Sequence, residues 1–332
     1  MKLTAAPWPP GRETGSVVVA PADLTAGRAR TPMPDVLRTP DDRFEDLDEW
    51  PWPPQYLSWR GIRLHYVDVG RGPAVLLVHG EPDWSYMWRD VIPELVRAGF
   101  RCIAPDHVGF GRSDKVASDD WYVIERHCEA LRHVVETLDL RDATLVVHDW
   151  GGPIGLRQAV DMPERFSRLA ILNTWLHHEG FVYGDGIRRW REWATRFEPG
   201  TGDLPCAEVI LRTYGLQCPD PDALRRAYEA PFPDATWKAG PRRFPWCLPF
   251  ARPEEGNAAD QQRCFEALRA WTRGPVHFVW GDADPIFPVE WARRWAGLVP
   301  GATLDTIPGA SHFVACERGE AVARRLLARI EA

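Results

Sequence analysis

Three positions carry chemistry in an order and setting that fit one another. The first is Asp149, in Thr144-Leu-Val-Val-His-Asp-Trp-Gly-Gly152. An apolar, strand-like run ends at the aspartate, and two glycines open the helix that follows. This is the pattern of a nucleophile elbow, the sharp strand-to-helix turn that lifts one side chain above a sheet. The usual elbow has glycine two residues to either side of the nucleophile. Here Gly151 fits, and Val147 stands at the other position. The bland alternative is that Asp149 only caps the next helix. The partners of an elbow follow it along the chain, first the acid and then the histidine. A strand over Val276–Trp280 runs into Gly281-Asp-Ala-Asp-Pro-Ile-Phe-Pro288 and offers Asp282 and Asp284. Carboxylates at the C-terminal ends of strands face the site in open α/β sheets. A strand over Ala302–Ile307 is followed by Pro308-Gly-Ala-Ser-His-Phe313, which places His312 in a loop before the last helix. The remaining nine of the ten histidines lack this setting. His79 and His148 border the site by sequence and read as packing or supporting groups.

The elements that must position these groups alternate along the chain. Apolar, β-branched runs occur at Ile62–Val69, Ala74–Val78, Arg101–Ala104, Ala143–Val147, Leu169–Leu172, Val276–Trp280 and Ala302–Ile307. Helical patterns lie at Trp84–Arg97, Trp121–Leu138, Pro153–Val160, Val289–Leu298 and Ala315–Ile330. Strands alternating with helices predict parallel βαβ units and an α/β fold covered on both faces. The alternation breaks between about 176 and 272, a Trp-, Arg- and Pro-rich stretch with helical segments and no convincing strand. An all-helical insertion is the simplest account. Residues 1–32 are expected to be a flexible N-terminal extension, with Met33 as an alternative start to Met1. Residues 41–58, acidic and rich in Pro and Trp, read as an irregular surface arm.

Composition narrows the function. The 332 residues include 47 acidic and 40 basic side chains, a net charge of −7, which argues against a nucleic-acid binder. No apolar run approaches the roughly 20 residues of a membrane span. The longest apolar stretch near the start, Ser16-Val-Val-Val-Ala20, is too short for a signal peptide, so a cytoplasmic protein is expected. The seven cysteines include no CxxC pair, and no HxH or HExxH spacing occurs, so no metal and no cofactor are expected. Free buried thiols in a reducing compartment are the expectation. The seventeen tryptophans suggest by themselves only a dense aromatic core.

Several long segments together resemble the α/β-hydrolase superfamily and, within it, the haloalkane dehalogenases. They are His79-Gly-Glu-Pro-Asp-Trp-Ser-Tyr-Met-Trp-Arg89, Ala104-Pro-Asp-His-Val-Gly-Phe-Gly-Arg-Ser-Asp-Lys115, His148-Asp-Trp-Gly-Gly152, Ala230-Pro-Phe-Pro-Asp234, Gly281-Asp-Ala-Asp284 and Ala310-Ser-His-Phe313. The resemblance runs from about residue 35 to the C-terminus. It implies a mostly parallel eight-stranded sheet with helices on both faces, a core of residues 33–176 and 273–332, and a helical cap over 177–272. It also points to the subgroup whose acid follows the seventh strand. Asp284 falls at that position and Asp282 does not, while residue 173, at the end of the sixth strand, is Asn.

On this reading Asp149 attacks an sp³ carbon to give an alkyl ester, and water activated by His312 hydrolyses it. Asp284 orients His312. Backbone N–H groups of Glu81 and Trp150 are the expected oxyanion donors. Indole N–H groups donate and do not accept, which suits a departing halide. Trp150 follows the nucleophile, and the resemblance implies a second donor from the cap, Trp190 or else Trp193. Phe244 and Pro245 are taken as the apolar pocket wall. The expected partners are a small haloalkane and water, with no nucleic acid, membrane or required protein. An epoxide hydrolase would use the same triad with a cap tyrosine as proton donor, and Tyr183, Tyr214 and Tyr228 keep that reading open. From another class, an inactive hydrolase-fold binding module is the remaining alternative. Trp150 argues against a fluoroacetate-type enzyme, which would carry Arg there, and Asp149 against a serine esterase.

Overall fold

The structure, a computed structural model, describes residues 35–330. The N-terminal extension and the choice between Met1 and Met33 lie outside the described residues. Among the described residues there are ten strands: β1 (Val36–Leu37), β2 (Gln55–Trp59), β3 (Ile62–Gly70), β4 (Ala74–Val78), β5 (Arg101–Pro105), β6 (Lys115–Val116), β7 (Ala143–His148), β8 (Phe166–Leu172), β9 (Val276–Gly281) and β10 (Thr303–Ile307). Eight form one sheet in the order β10-β9-β8-β7-β4-β5-β3-β2; β1 and β6 pair separately. The β2–β3 and β3–β5 pairings are antiparallel, and the rest of the large sheet is parallel. Every residue of β7 is buried, as a central strand covered on both faces requires.

The helices are α1 (Ile92–Arg97), α2 (Ile124–Thr137), α3 (Gly151–Asp161), α4 (Asp185–Ala194), α5 (Cys206–Arg212), α6 (Pro221–Glu229), α7 (Ala239–Arg243), α8 (Ala258–Arg269), α9 (Val289–Ala296) and α10 (Val314–Ile330). One group, α2, α3 and α8, packs together, with α3 on β7; α1 and α10 form another, with α10 against β8, β9 and β10. Residues 177–272 contain helices and no strand. Within them α5 packs on α6, whereas α8 packs on α3 of the sheet-covering layer.

Three local features differ from the sequence reading. The arm over 41–58 ends in a strand: β2 pairs with β3 across Arg60 and Gly61, whose φ values of 50° and 79° suit a tight hairpin turn. The flanking Pro51-Trp-Pro-Pro54 hides that strand. The helix expected over Trp84–Arg97 is divided into a 3-10 turn at Ser85–Trp88 and α1. Pro93 explains the break, since proline fits a first helical turn and not an interior. The last helix is interrupted at Arg318, with φ −144° and ψ 45°.

The stretch 177–272 is tied down by a buried ion pair. Arg242, fully buried, donates through Nε and Nη2 to the two oxygens of Asp119 at 2.7 and 2.6 Å. Its Nη1 donates to the carbonyls of Gly202 and Ala235. Asp119 precedes α2, so this fork joins the inserted helices to the sheet-bearing layer. Removing one partner leaves an uncompensated charge. Asp119→Ala is therefore expected to lower unfolding free energy by about 3–5 kcal/mol in urea titrations. A loss below about 1 kcal/mol, the range of an exposed pair, would contradict this account of the tie.

Candidate active site

The chain turns sharply at Asp149, which closes β7 with φ +50°. A non-glycine residue in this region costs on the order of 1–3 kcal/mol and persists where its surroundings dictate it. Here they do. The Asp149 N–H donates to the Asn173 carbonyl at 3.2 Å, while its own carbonyl accepts from the Gly152 N–H at 2.8 Å and from the Thr174 hydroxyl. Gly152 is needed for that approach, since a Cβ there would lie 1.9 Å from Thr174 Oγ1. The departure at Val147 has a compensation one turn into α3. A Cβ on Gly155 would stand 2.6 Å from Val147 Cγ1, so the glycine has moved from the strand to the helix while the contact surface stays flat.

The carboxylate of Asp149 is held from two sides. The Glu81 N–H donates to Oδ1 at 2.8 Å. That loop comes so close because residue 80 is glycine; a Cβ there would be 2.3 Å from Oδ1. Oδ2 lies 3.5 Å from His312 Nε2. The positive end of α3 also points at this carboxylate. On the other side of the ring, His312 Nδ1 lies 3.0 Å from Asp284 Oδ2. Asp284 is buried and accepts from the backbone N–H of Ile286 and Phe287 at 2.7 and 2.9 Å and from Asn173 Nδ2 at 2.7 Å. Asp282 is exposed and accepts from the Gly309 N–H instead. The geometry thus sets Asp284 beside the histidine, and Asp282 outside.

Charge on the ring follows from these neighbours. Burial by itself would push His312 down, but Asp284, and then Asp149, raise it to about 10. The two carboxylates thus favour the imidazolium. His148 donates through Nε2 to the His312 carbonyl at 2.8 Å, and burial lowers it to about 4, so it is a neutral support. His79 is also held neutral by burial, and its Nε2 accepts from the His107 N–H at 3.0 Å. Glu317 fixes the histidine loop, accepting from the Ser311 N–H, and also reaches Gly215 N–H in the inserted region.

Asp149 and His312 open on a void of about 20 Å³, room for about one water, while Asp284 stays behind the ring. Its lining includes Glu81, Trp150 and Trp190, with apolar walls from Trp175, Ile187, Val209, Leu248, Ile286, Phe287 and Phe313, and with Thr213. Of the two candidate cap tryptophans, Trp190 borders this void. Trp193 does not line it, and packs against Trp190 and Phe197 with ring centroids 5.6 and 5.1 Å apart. Phe244 and Pro245, taken from sequence as the pocket wall, are buried but do not line the void. Phe244 instead backs Trp150, edge to face at 5.3 Å, so it supports the indole rather than a ligand. None of Tyr183, Tyr214 and Tyr228 borders the void. Two residues that matter were not singled out for these roles by sequence: Asn173, which bonds both Gly281 N–H and Asp284, and Trp175, whose ring meets Trp150 at 4.8 Å. The only signal for Asn173 was its place at the end of a strand beside the acid-bearing one.

Two outcomes follow from this geometry. Gly80→Ala is expected to lower kcat/KM at least about 100-fold with the fold retained, because displacement of about 1 Å is enough for such a loss. Near-wild-type activity in that variant would contradict the crowding at Oδ1. His312 has a folded pKa of about 10 against an ordinary 6.5, so its stabilising contribution is whole below about pH 6.5 and is lost as pH rises towards 10. The gap in melting temperature between wild type and His312→Gln should therefore shrink over that interval. A gap independent of pH would overturn the assigned charge state.

Comparison with known proteins agrees with the architecture. Residues 73–201 match the alpha/beta hydrolase fold family. Haloalkane dehalogenase of Psychrobacter cryohalolentis is 37 % identical over 305 residues, covering 88 % of this chain and 97 % of that one. Haloalkane dehalogenase 1 of Mycobacterium tuberculosis is 38 % identical over 320 residues, covering 88 % and 98 %. The tetrameric haloalkane dehalogenase DpaA of Paraglaciecola agarilytica superposes with a TM-score of 0.81 at 33 % identity, covering 88 % of this chain and 98 % of its own. With the fold, the elbow and these relatives in agreement, the chain belongs to the haloalkane dehalogenase family of α/β-hydrolase-fold hydrolases.

Proposed function

We propose that this chain hydrolyses the carbon–halogen bond of haloalkanes, with Asp149 as nucleophile, His312 as base and Asp284 as the acid that orients it. The supporting observation is the placement of one buried carboxylate between a backbone donor, Glu81 N–H at 2.8 Å, and His312 Nε2 at 3.5 Å. In the first half an Asp149 oxygen bonds to the substrate carbon and the carbon–halogen bond breaks. The halide leaves towards the indoles of Trp150 and Trp190, which line the void and can donate without adding negative charge. In the second half His312 takes a proton from water, the hydroxyl oxygen bonds to the Asp149 carbonyl carbon, and the N–H groups of Glu81 and Trp150 hold the oxyanion. Collapse releases a primary alcohol and restores the carboxylate. Asp284 steadies the imidazolium throughout. These steps use side chains and water, with no cofactor.

Residues 177–272 act in this reading as a cap over a core of 33–176 and 273–332, and Trp190 is the cap's contribution to the halide. The resting void holds about one water, so substrate displaces cap side chains such as Val209 and Leu248 as it binds. The same placement disfavours epoxide opening, whose alkoxide needs an acid: Tyr183 bonds His177, and Tyr214 reaches the Cys316 carbonyl. All seven cysteines are free thiols, which favours a reducing cytoplasm. Among the described residues no helix is long and apolar enough to cross a membrane.

The test offers 1-bromobutane, 1,2-dibromoethane and styrene oxide and follows halide and diol. Halide from the bromides is expected. Diol without halide would favour the epoxide reading, and silence on all three would favour a binding module. Asp149→Asn is expected to abolish turnover. His312→Ala is expected to accumulate the butyl ester on Asp149, visible by intact mass. An unmodified His312→Ala chain beside an active wild type would contradict covalent catalysis.

A further inference from the structure

The proposed cycle leaves a proton in a largely buried site. The balance is haloalkane plus water to alcohol, halide and one proton. Alkylation moves no proton. Hydrolysis takes one from water to His312, the departing alkoxide receives one, and the acid proton left on Asp149 returns to His312. Each turnover therefore ends on an imidazolium between two carboxylates, yet the next hydrolysis needs a neutral imidazole. Alkylation supplies the release: it cancels the charge on Asp149, one of the two anions that hold the ring's proton. Between the two halves, that proton leaves a residue that is 4 % exposed.

A line of buried polar groups leads away from this point. Glu81 borders the void with His312, and its Oε1 is buried without a hydrogen-bond partner. Two residues along the same loop, Asp83 is fully buried, and its Oδ2 is also unpartnered. The Tyr228 hydroxyl of α6 comes next, near enough to Asp83 and to the Cys316 thiol to act on both as a hydrogen-bonding neighbour, although no contact at full hydrogen-bond distance is closed. Trp84 Nε1, donating to the Ala227 carbonyl at 3.2 Å, clamps α6 against the Asp83 loop. Cys316, which accepts from Arg89 Nη1 at 3.5 Å, lies on the floor of a groove of about 730 Å³ on the protein surface, with Glu49 and Asp90 among its walls. A buried polar atom without a partner costs about 1–3 kcal/mol, and natural structures hold few of them. Three of those among the described residues stand in succession between the cavity and the groove.

We propose that Glu81, Asp83 and Tyr228 form a proton relay that carries the proton of His312 from the alkylated site to the surface groove floored by Cys316 and Arg89. Rotation of the two carboxyls and the phenol, with bridging water, closes the gaps between them. Asp83 lies behind the cavity wall, within electrostatic reach of Asp149 and His312, and Glu81 feels the same two groups and Asp83. Burial raises Glu81 well above the ordinary carboxyl range and Asp83 to about 7, which favours the protonated carboxyl in both. The relay rests on Asp149 as nucleophile and His312 as base.

Asp83→Asn, Asp83→Glu and Tyr228→Phe are compared with wild type in pre-steady-state reactions with 1-bromobutane. The halide burst reports alkylation, and decay of the ester reports hydrolysis. In Asp83→Asn and Tyr228→Phe the burst should keep its rate, while hydrolysis slows at least about ten-fold, a modest part of what a positioned proton-transfer group supplies. Asp83→Glu should recover most of the rate. The inflection near pH 7 in wild-type hydrolysis should vanish in Asp83→Asn. Unchanged hydrolysis in Asp83→Asn and Tyr228→Phe would overturn the relay. So would burst and hydrolysis falling together, the mark of a structural role. Absence of any ester in wild type would instead remove the nucleophile reading on which the relay stands.

Discussion

One imidazole is held between two buried carboxylates, and the rest of the molecule answers to that fact. Burying such charges costs several kcal/mol per ion unless each is met by donors. Asp284 has four contacts, to His312, Asn173 and two backbone N–H groups. Asp149 has the Glu81 N–H, the start of α3 and His312 itself. The two carboxylates therefore favour the imidazolium, and in the proposed mechanism that hold weakens when the Asp149 charge disappears into an ester. Alkylation would thus switch on the second half of the reaction, and the order of steps is written into the electrostatics.

The sheet delivers this arrangement from four neighbouring strands. The ends of β7, β8, β9 and β10 carry Asp149, Asn173, Asp284 and the His312 loop, side by side because β7 to β10 run parallel in register. What the strands cannot supply is the approach of the β4 loop, whose Gly80 clears the way for the Glu81 amide. Nor can they supply Trp190, the second indole bordering the void and the proposed halide donor, which comes from an irregular set of helices. The Arg242–Asp119 fork and the Glu317 bridge connect that set to the layer beneath.

Much of this was legible in the sequence, for a physical reason. The triad residues sit at strand ends in a fixed order, and a strand that is buried on both faces announces itself as an apolar run. Asp284 was separable from Asp282 only by resemblance; the structure adds that one is buried among donors and the other faces solvent. Trp190 and Trp193 are three residues apart on one helix, about 60° in projection, so periodicity could not choose between them. The cavity walls at Ile187, Val209 and Leu248 come from three separate segments of the inserted region, and no local pattern records their meeting. Phe244 was placed in the wall because Arg243-Phe-Pro245 resembles a stretch of the family, but its ring stands behind Trp150. The strand β2 was hidden by the prolines before it.

The claim that everything else depends on is that an oxygen of Asp149, not of water, bonds to the substrate carbon. It is tested most directly by a single turnover of excess enzyme on 1-bromobutane in heavy-oxygen water. The account predicts that the first butanol carries ordinary oxygen and that the label appears in the peptide containing Asp149. Labelled butanol with unlabelled Asp149 would mean that water attacks the carbon directly, and would contradict it.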